Sequence, residues 1–403
     1  MTSGPENPGL YVHFPFCSAI CPYCDFYVLT GDPGRRRQFV RSLLQEIEIC
    51  GEETWPGFVE ESPAQPFDTI YFGGGTPSIL ALEELSVLRE GIFKHLPVVQ
   101  DPWIGLEANP EDVTVRNLAE WKDLGVRFLS LGIQSFDSRY LEYLGRSHDP
   151  QDCRNSMVLA RESGIETLSI DLIYGLPGQT LNDWRTDLAK AVELEPDHLS
   201  CYQLTIEPGT PFGFRRLKGQ LSELAPERQA EFFFLTHNEL ADHGLAAYEV
   251  SSFSSALRHR SRHNSKYWSH TPYLGVGPSA HSFASRQRWW NWRKIKPWEG
   301  QIDGGRRPVQ EHETLTTEQL ILESLMLGLR TPSGIDLDSL PGDTEARVWA
   351  ANRSLIDDLV QEDLLRLEER RMVPTLAGLA VAESIACRFD LSGPRSPQQP
   401  GIC

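Results

Sequence analysis

The sequence predicts an α/β protein, in which a partial barrel of six βα units is followed by a small winged-helix-like α+β domain. Over the first two-thirds of the 403 residues, short β-rich runs alternate with amphipathic helical patterns, which is typical of βα units and a parallel sheet. Six strands fit a partial barrel better than a closed eight-stranded one. A new apolar periodicity after residue 307 indicates the second domain.

The predicted strands and helices alternate along the first 250 residues. The strands are Leu10–Phe14, Thr69–Phe72, Trp103–Glu107, Arg127–Ile133, Thr167–Ile173 and His198–Thr205. The helices between them are Arg36–Ile49, Leu82–Leu96, Thr114–Leu124, Pro150–Ser163 and Leu181–Leu194. A further helix, Pro226–His243, leads into Ala247–Val250.

The last third of the chain has a different character. Residues 251–307 are polar and rich in aromatic side chains, and they predict a connecting segment. A helix capped by Thr316 or Thr317, a second helix over Thr344–Gln361 and a strand pair within Leu364–Pro374 then predict the winged-helix-like unit.

The predicted domains follow from these boundaries. They are a core over residues 1–250, the connecting segment 251–307, the winged-helix-like domain 308–391 and a tail, 392–403. The tail is rich in Pro, Gln and Gly and predicts disorder.

Composition excludes several functions. The net charge of −18 argues against nucleic-acid binding, because there is no basic excess to displace phosphate counterions. No apolar run reaches the length of a membrane span, so we do not expect an integral membrane protein. The N-terminus carries no signal or transit pattern, which predicts a cytoplasmic, reducing location.

Three cysteines near the N-terminus carry the strongest signal. Cys17, Cys21 and Cys24 have C-x3-C-x2-C spacing on a short stretch that follows the first strand. A [4Fe–4S] cluster normally takes four cysteines, so three thiolates leave one iron open to chelate an amine and a carboxylate. A structural zinc site would need a fourth ligand nearby, and an odd number of cysteines in a chain without a secretory signal disfavours a disulfide.

The cysteine segment resembles the signature of the radical S-adenosylmethionine (SAM) superfamily, which holds SAM on such an open iron. Polar residues at the ends of later strands are consistent with this resemblance. They are Gly73–Ser78, Glu107, Gln134, Arg146 and Asp171. Carboxyl ends of parallel strands form ligand sites, an Arg fork suits a carboxylate, and carboxylates and amides suit an ammonium and ribose hydroxyls.

These motifs also resemble the family of oxygen-independent coproporphyrinogen III oxidase, from about residue 9 to residue 385. Further matching segments are Tyr11–Cys17, Leu144–His148, Asp171–Thr180, Glu207–Thr210 and Tyr273–His281. The resemblance implies a radical SAM barrel, a [4Fe–4S] cluster and a set of SAM contacts. Those contacts are Tyr11, Tyr23, Gly74, Gly75, Thr76, Glu107, Gln134, Arg146 and Asp171.

Two branches of that family must be distinguished. The porphyrinogen dehydrogenases carry a further Cys two residues after the third ligand, where this chain has Phe26, and a longer N-terminal arm than the sixteen residues before Cys17. Both departures resemble the haem-chaperone branch, HemW, as does His263-Asn-Ser-Lys-Tyr-Trp268. Oxidative decarboxylation of coproporphyrinogen III stays the alternative, because the SAM motifs are complete.

The resemblance implies haem as cargo, with His263 as its ligand. His ligates haem iron, Tyr267 and Trp268 could pack on a porphyrin, and the basic residues at 258, 260 and 262 could pair with propionates. The alternative is that His263 holds a loop and Trp268 fills a domain interface. Rival ligands are His259, His270 and His281. Expected partners are acceptor haemoproteins, including respiratory-chain components, and an electron donor such as a flavodoxin or ferredoxin.

Overall fold

Six parallel strands form the centre of the computed structural model, which describes residues 7–52, 65–340 and 344–391. They pair in sequence order within a larger sheet. The strands are β1 (Gly9–Phe14), β2 (Phe67–Gly74), β3 (Val98–Ala108), β4 (Val126–Gln134), β5 (Thr167–Tyr174) and β6 (His198–Gln203). All six lie where the sequence predicts them, and the predicted α/β fold is confirmed.

Helices connect successive strands and cover one face of the sheet. They are α1 (Pro33–Glu52), α2 (Leu82–His95), α3 (Val115–Asp123), α4 (Ser138–Tyr143), α5 (Pro150–Ser163) and α6 (Leu181–Val192). Alternation along β1 sends Leu10, Val12 and Phe14 into the main core against these helices, since successive strand residues point to opposite faces. Tyr11 points to the other face, where it packs in a small aromatic cluster.

The segment after β6 is helical at first. It contains α7 (Pro211–Leu217), α8 (Pro226–Asp242), two short strands, β7 (Ala246–Ala247) and β8 (Ser252–Ser254), α9 (Arg262–Trp268) and α10 (Ile295–Asp303). Because β8 pairs antiparallel with β6, this segment closes one edge of the sheet.

Four of the strands that the sequence pattern does not predict extend the sheet beyond β1. They are β9 (Tyr273–Val276), β10 (His281–Ala284), β11 (Gln287–Asn291) and β12 (Val309–Thr314). β9 pairs with β1 and the others follow antiparallel, so the described sheet has twelve strands. Much of the predicted connecting segment, residues 251–307, therefore extends the sheet. The last added strand, β12, begins after the predicted boundary at residue 307.

A buried carboxylate joins this extension to the helices. Glu46 of α1 accepts hydrogen bonds from the Gly277 amide at 2.8 Å, Asn291 Nδ2 at 2.6 Å and Trp298 Nε1 at 3.0 Å. Burial raises its pKa to about 7 despite these donors. One side chain thus ties α1 to β11 and α10.

The C-terminal unit has its own hydrophobic core. Its elements are α11 (Thr317–Gly328), β13 (Ile335–Asp336), α12 (Thr344–Gln361), β14 (Leu365–Glu368), β15 (Arg371–Pro374), α13 (Leu376–Ala380) and α14 (Ala382–Ala386). Thr316 is the N-cap of α11, and its hydroxyl accepts from the Gln319 amide at 3.2 Å. The helices and the strand pair lie where predicted, and the predicted tail, 392–403, lies outside the described residues.

Candidate functional site

A loop carrying the three cysteines leaves the carboxyl end of β1 and returns to it. The Cys17 amide donates to the Leu29 carbonyl at 2.9 Å, and the Leu29 amide donates to the Pro15 carbonyl at 2.7 Å. Further along, the Phe212 amide of α7 donates to the Pro22 carbonyl at 3.0 Å. The loop is therefore fixed at its base and near its tip.

This loop covers a cavity of about 440 Å³ at the carboxyl ends of the strands. Residues at the ends of β2 to β6 line it together with the three cysteines, so the sheet must curve around a common centre. The predicted site residues in its lining are Cys17, Cys21, Tyr23, Cys24, Gly74, Gly75, Thr76, Glu107, Gln134, Arg146 and Asp171. Its volume falls within the range of about 300–1,000 Å³ typical of a small-molecule site.

The thiols face the cavity without converging on one point. Burial raises the pKa of the Cys17 thiol, and it raises that of Cys24 to about 11. Among the described residues no three His, Cys, Asp or Glu side chains lie close enough to hold a single metal ion. A cluster offers a separate iron to each thiolate, so this arrangement fits a cluster better than an isolated ion.

The glycine motif brings backbone against the base of the cysteine loop. Gly74 has φ of +112°, which favours glycine. A Cβ on Gly75 would lie 2.6 Å from the Phe16 carbonyl oxygen. The amides of Gly75 and Thr76 donate to the carbonyls of Phe14 and Phe16, at 2.7 and 2.8 Å. Larger residues at 74 and 75 would push the loop away from the cavity.

Two carboxylates line the opposite wall. Burial raises the pKa of Glu107 to about 7, with Asp171 contributing, and it raises that of Asp171 to about 6. Glu107 Oε2 accepts from the Gly74 amide at 3.1 Å, and Asp171 Oδ2 accepts from the Ser130 hydroxyl at 2.9 Å. Asp171 Oδ1 is buried without a hydrogen-bond partner in the described structure, so it is an available acceptor.

Arg146 is the cation of the cavity. Its Nη2 donates to Asn109 Oδ1 at 2.5 Å and to the Gly132 carbonyl at 2.9 Å, and its Nη1 lies 3.6 Å from Cys21 Sγ. Within the described ranges it forms no ion pair, and its buried Nε has no partner. A guanidinium in this state is suited to bind a carboxylate.

A bulge at the end of β4 sets the direction of the Gln134 side chain. It has φ of +70°, and the pairing of β4 with β5 shifts register between Leu131 and Gln134. Such a bulge redirects a side chain at a strand end. Gly132 makes the room, because a Cβ there would lie 3.0 Å from Gln134 Nε2 and 3.4 Å from Arg146 Nη2.

The two predicted tyrosines differ in position. Tyr23 lies in the cavity lining. Tyr11 does not; its hydroxyl lies 3.1 Å from His13 Nδ1, and its ring lies 3.1 Å from where a Cβ on Gly73 would be. Tyr11 is therefore one layer below the cavity, and its direct contact with SAM stays a prediction.

His263 lies at the other end of the strands. Its ring is fully buried, with Nδ1 3.0 Å from Thr69 Oγ1 and Nε2 2.8 Å from the Tyr267 hydroxyl. It stacks on Tyr71 at 5.3 Å between ring centroids, and burial lowers its pKa to about 3. Gly9, the first residue of β1, is its close neighbour. Both nitrogens are engaged, so haem ligation by His263, which stays a prediction, requires one of the two contacts to break, while the other nitrogen can keep its partner.

The three other histidines considered as haem ligands have different surroundings. His259 Nδ1 lies 2.9 Å from Thr167 Oγ1, and His270 Nε2 lies 3.1 Å from Glu323 Oε2. His281 is exposed and stacks on Trp290 at 5.8 Å. The guanidinium of Arg330 lies over Trp268, 5.4 Å from the ring centroid, so Trp268 contacts the C-terminal unit.

Of the propionate candidates, Arg258 and Arg262 are exposed, and Arg260 lies over the Tyr248 ring at 5.3 Å. The remaining cysteines carry no ligand role in the described structure. Cys50, Cys153 and Cys201 are buried, whereas Cys387 is exposed.

Several residues of the cavity lining are not predicted from the sequence. Asn109 orients Arg146, Ser130 holds Asp171, and Tyr202 and Gln203 extend the lining to β6. Asn109 follows Glu107 by two residues, and Ser130 shares a strand with Gln134, so position at a strand end was the available signal.

Comparison with known proteins identifies the family. Residues 11–191 match the radical SAM superfamily, and residues 315–381 match the HemN C-terminal domain. The chain is 33% identical to the heme chaperone HemW of Bacillus subtilis, over 94% of this chain and 98% of that protein. It is 31% identical to HemW of Mycobacterium tuberculosis H37Rv, over 94% of each.

A solved structure shares the fold. Escherichia coli coproporphyrinogen III oxidase (HemN), a radical SAM enzyme, superposes with a TM-score of 0.78 over 96% of this chain and 91% of that chain, at 23% identity. At this identity the likeness shows the fold alone.

The cysteine loop, the strand-end cavity and the superfamily match together define a radical SAM protein. Within that class, identity above 30% across nearly the whole length of its relatives shows that the chain belongs to the heme chaperone HemW family. The predicted resemblance is thereby confirmed. Among the described residues, no helix combines the length and apolar character needed to cross a membrane.

Proposed function

We propose that this protein binds haem and delivers it to acceptor haemoproteins, with a core that holds a [4Fe–4S] cluster and SAM. The observation that carries the proposal is the 33% identity over 98% of a relative named a heme chaperone. Phe26 supports it, because the porphyrinogen dehydrogenases have a cysteine at the corresponding position and this chain has an exposed aromatic ring.

The cavity residues fit both groups. Cys17, Cys21 and Cys24 would hold three irons, which leaves the fourth open for SAM. The unpartnered Arg146 Nε would meet the methionine carboxylate, and the unpartnered Asp171 Oδ1 would accept from a ribose hydroxyl. When bound, the cluster and SAM supply one-electron chemistry at the sulfonium sulfur.

The chain's own part is to position and to shield. Asn109 and the Gly132 carbonyl hold Arg146, so its free donor points to one place. Gly74 and Gly75 let the backbone approach the ligand. Glu107, with its pKa near 7, can accept from an ammonium when ionised or hold a proton at Oε1 when neutral.

Two histidines are candidates for the haem ligand. His263 as its ligand needs α9 to move, since the ring is buried between Thr69 and Tyr267. His281 offers an exposed ring without such rearrangement. We also propose a cytoplasmic location, acceptors that include respiratory-chain haemoproteins, and a flavodoxin- or ferredoxin-like electron donor.

One experiment tests the function. The cluster is reconstituted anaerobically, and haem binding, haem transfer to an apo-haemoprotein and coproporphyrinogen III turnover are measured on the same preparation. We expect stoichiometric haem binding and transfer, without decarboxylation. His263→Ala and His281→Ala, compared by the Soret spectrum, identify the ligand.

The second candidate is coproporphyrinogen III oxidation, which the complete set of cavity residues favours. Turnover at an enzyme's rate, on the order of 1 per second or faster, would replace the chaperone proposal with this one.

A further inference from the structure

Five basic side chains lie at the starts of α1 and α10, two helices whose first residues adjoin the cysteine loop. We define this cationic patch as Arg36, Arg37, Arg293, Lys294 and Lys296. Outside the patch the chain is strongly acidic, with 56 acidic against 38 basic residues in total. Apart from Arg36, which is half-buried, the side chains of the patch are exposed, and none of the five forms an ion pair within the described ranges.

Two members of the patch touch the cysteine loop or its flank. Arg293 Nη2 donates to the carbonyl of Asp25, the residue after Cys24, at 2.9 Å. Arg36 Nη1 donates to the Gly31 carbonyl at 2.8 Å, and Arg36 lines the same shallow recess as Cys17. The patch therefore adjoins two of the three predicted iron ligands.

The patch is assembled from two helix starts that are held side by side. Arg35 in the first turn of α1 makes a bidentate ion pair with Glu299 of α10, at 2.6 and 2.9 Å. Phe39 stacks on Trp298 at 5.3 Å between centroids. These contacts bring the cations of residues 35–37 next to those of residues 293–296.

These cations lie at or near the N-terminal ends of helices, where positive charge is unfavourable. The first turns of α1 and α10 contain no acidic residue, although the positive end of the helix dipole favours Asp and Glu there. Each unfavourable charge at a helix start costs about 0.3–1 kcal/mol. Asp32, the residue before α1, accepts from the Arg35 amide at 3.0 Å, and Arg36 and Arg37 help to lower its pKa, so it offsets part of the charge at this helix start. The first turn of α10 has no such acid, and an external anionic partner would complement the cations that remain.

An apolar contact point lies beside the charges. Phe26 lines the rim of the cavity and is 62% exposed, and the backbone carbonyl of Asp25, next to it, accepts from Arg293. Protein interfaces commonly combine an aromatic anchor with surrounding charges. A single exposed ring among cations suits a protein surface better than a free anion.

We propose that the cationic patch, with Phe26, docks an acidic one-electron carrier protein against the cysteine loop. The inference rests on the proposed function, in which the cluster needs an electron. The reduced carrier loses one electron, the cluster gains it, and no bond or proton is exchanged between the proteins. Because the chain as a whole carries −18, an acidic carrier is repelled elsewhere and steered to this patch.

The test uses the cluster-loaded full chain and a flavodoxin of high negative charge as the probe. The variant combines Arg37→Glu, Lys294→Glu and Lys296→Glu, three exposed residues whose side chains form no hydrogen bond or ion pair within the described part of the chain. The affinity of the oxidised pair is measured by calorimetry at low and moderate salt. The rate of cluster reduction is measured with the reduced flavodoxin and, separately, with dithionite.

We expect the variant to lose about tenfold in affinity and in the flavodoxin-driven rate, with a weaker salt dependence and an unchanged dithionite rate. The variant should fold, because acids suit a helix start. The matched control is Lys94→Glu, Arg366→Glu and Arg371→Glu, which makes the same charge change elsewhere. Lys94 lies near the far end of α1, about 20 Å from Arg37, and the other two lie in the C-terminal sheet.

Wild-type affinity and rate in the variant would overturn the proposal. So would equal losses in the control, or binding of the patch to phosphatidylglycerol vesicles without binding to the flavodoxin. Haem transfer is measured separately with dithionite as the reductant. Failure of that transfer in the wild type contradicts the proposed function, and the carrier-binding result still decides the docking surface.

Discussion

The two ends of the parallel strands differ in how their polar groups are satisfied. At the carboxyl end, Arg146 Nε and Asp171 Oδ1 face a cavity and have no hydrogen-bond partner among the described residues. At the amino end, His263 and His198 are buried with both ring nitrogens engaged. The two ends lie about 17 Å apart along β1.

We interpret the carboxyl end as a ligand site and the amino end as a structural closure, meaning a set of buried polar pairs that seals the end of the sheet. A buried polar group without a partner costs about 1–3 kcal/mol, and the two at the carboxyl end face a cavity in which a ligand would pair with them. The amino end instead pairs each histidine with a hydroxyl, as in His259 with Thr167. Lys266 adds to the closure by donating to the Asn7 carbonyl at 2.6 Å and by pairing with Asp68 at 2.9 Å.

We expect the largest effect from a substitution at the carboxyl end that removes a cluster ligand. Cys21→Ala should abolish retention of the cluster, because two thiolates cannot hold three irons. Iron and sulfide content after anaerobic reconstitution measures it. Cys153→Ala, in the core behind the cavity, is the matched control and should load fully. A fully loaded Cys21→Ala protein would contradict the assignment.

We expect the second largest effect, a loss of stability, from a substitution at the amino end. His263→Ala should lower the free energy of unfolding by about 2–5 kcal/mol, because it leaves Thr69 and Tyr267 without their shared partner and opens a cavity. Urea unfolding of the protein measures it. His281→Ala, at an exposed ring, should change stability by less than about 0.5 kcal/mol. Equal effects of the two substitutions would show that the closure is not structural.

A third substitution tests the carboxyl end through its affinity for SAM. Arg146→Ala should weaken SAM binding by about 1.5–3 kcal/mol, or roughly ten- to a hundredfold, because it removes a charge-assisted bond. Calorimetry on the cluster-loaded protein measures it. Arg139→Ala, at an exposed arginine paired with Asp137, is the control and should bind SAM normally. Unchanged affinity in Arg146→Ala would exclude its role.

The smallest effect concerns pH. Burial lowers the pKa of His198 to about 3, from about 6.5 in an unfolded chain. Between these values the unfolded chain binds a proton that the folded one does not, so stability falls as pH falls, by about 1.4 kcal/mol per unit. His198→Gln should reduce that slope by this amount in urea titrations from about pH 6 to about pH 4.

The matched control for the pH slope is His243→Gln, an exposed residue at the end of α8. Its slope measures what the loss of one surface imidazole does to the titration, for comparison with His198→Gln. A slope in His198→Gln equal to that of the wild type would mean that the ring is protonated in the folded protein.

The sequence predicts the carboxyl end well and the amino end poorly, for a physical reason. Parallel strands bring their carboxyl ends together, so polar residues that end strands, such as Glu107 and Asp171, could be placed at one site. Tyr11 was expected there too, but it lies three residues before the end of β1 and so one layer lower.

The amino-end closure depends on pairs that periodicity cannot report. His263 and Thr69 are 194 residues apart, and no local pattern indicates which hydroxyl a buried histidine will find. The strands β9 to β11 were missed because they have only four or five residues each and are separated by Gly, Pro and Ser. Their stability comes from pairing with β1 and from Glu46 rather than from local propensity.

Hydrogen–deuterium exchange on the cluster-loaded protein, with and without SAM, tests the difference between the two ends most directly. SAM should slow exchange in peptides that contain Gly74–Thr76, Gln134 and Asp171, and leave residues 259–268 unchanged. Protection of residues 259–268 without protection at the strand ends would place the ligand at the amino end and contradict the account.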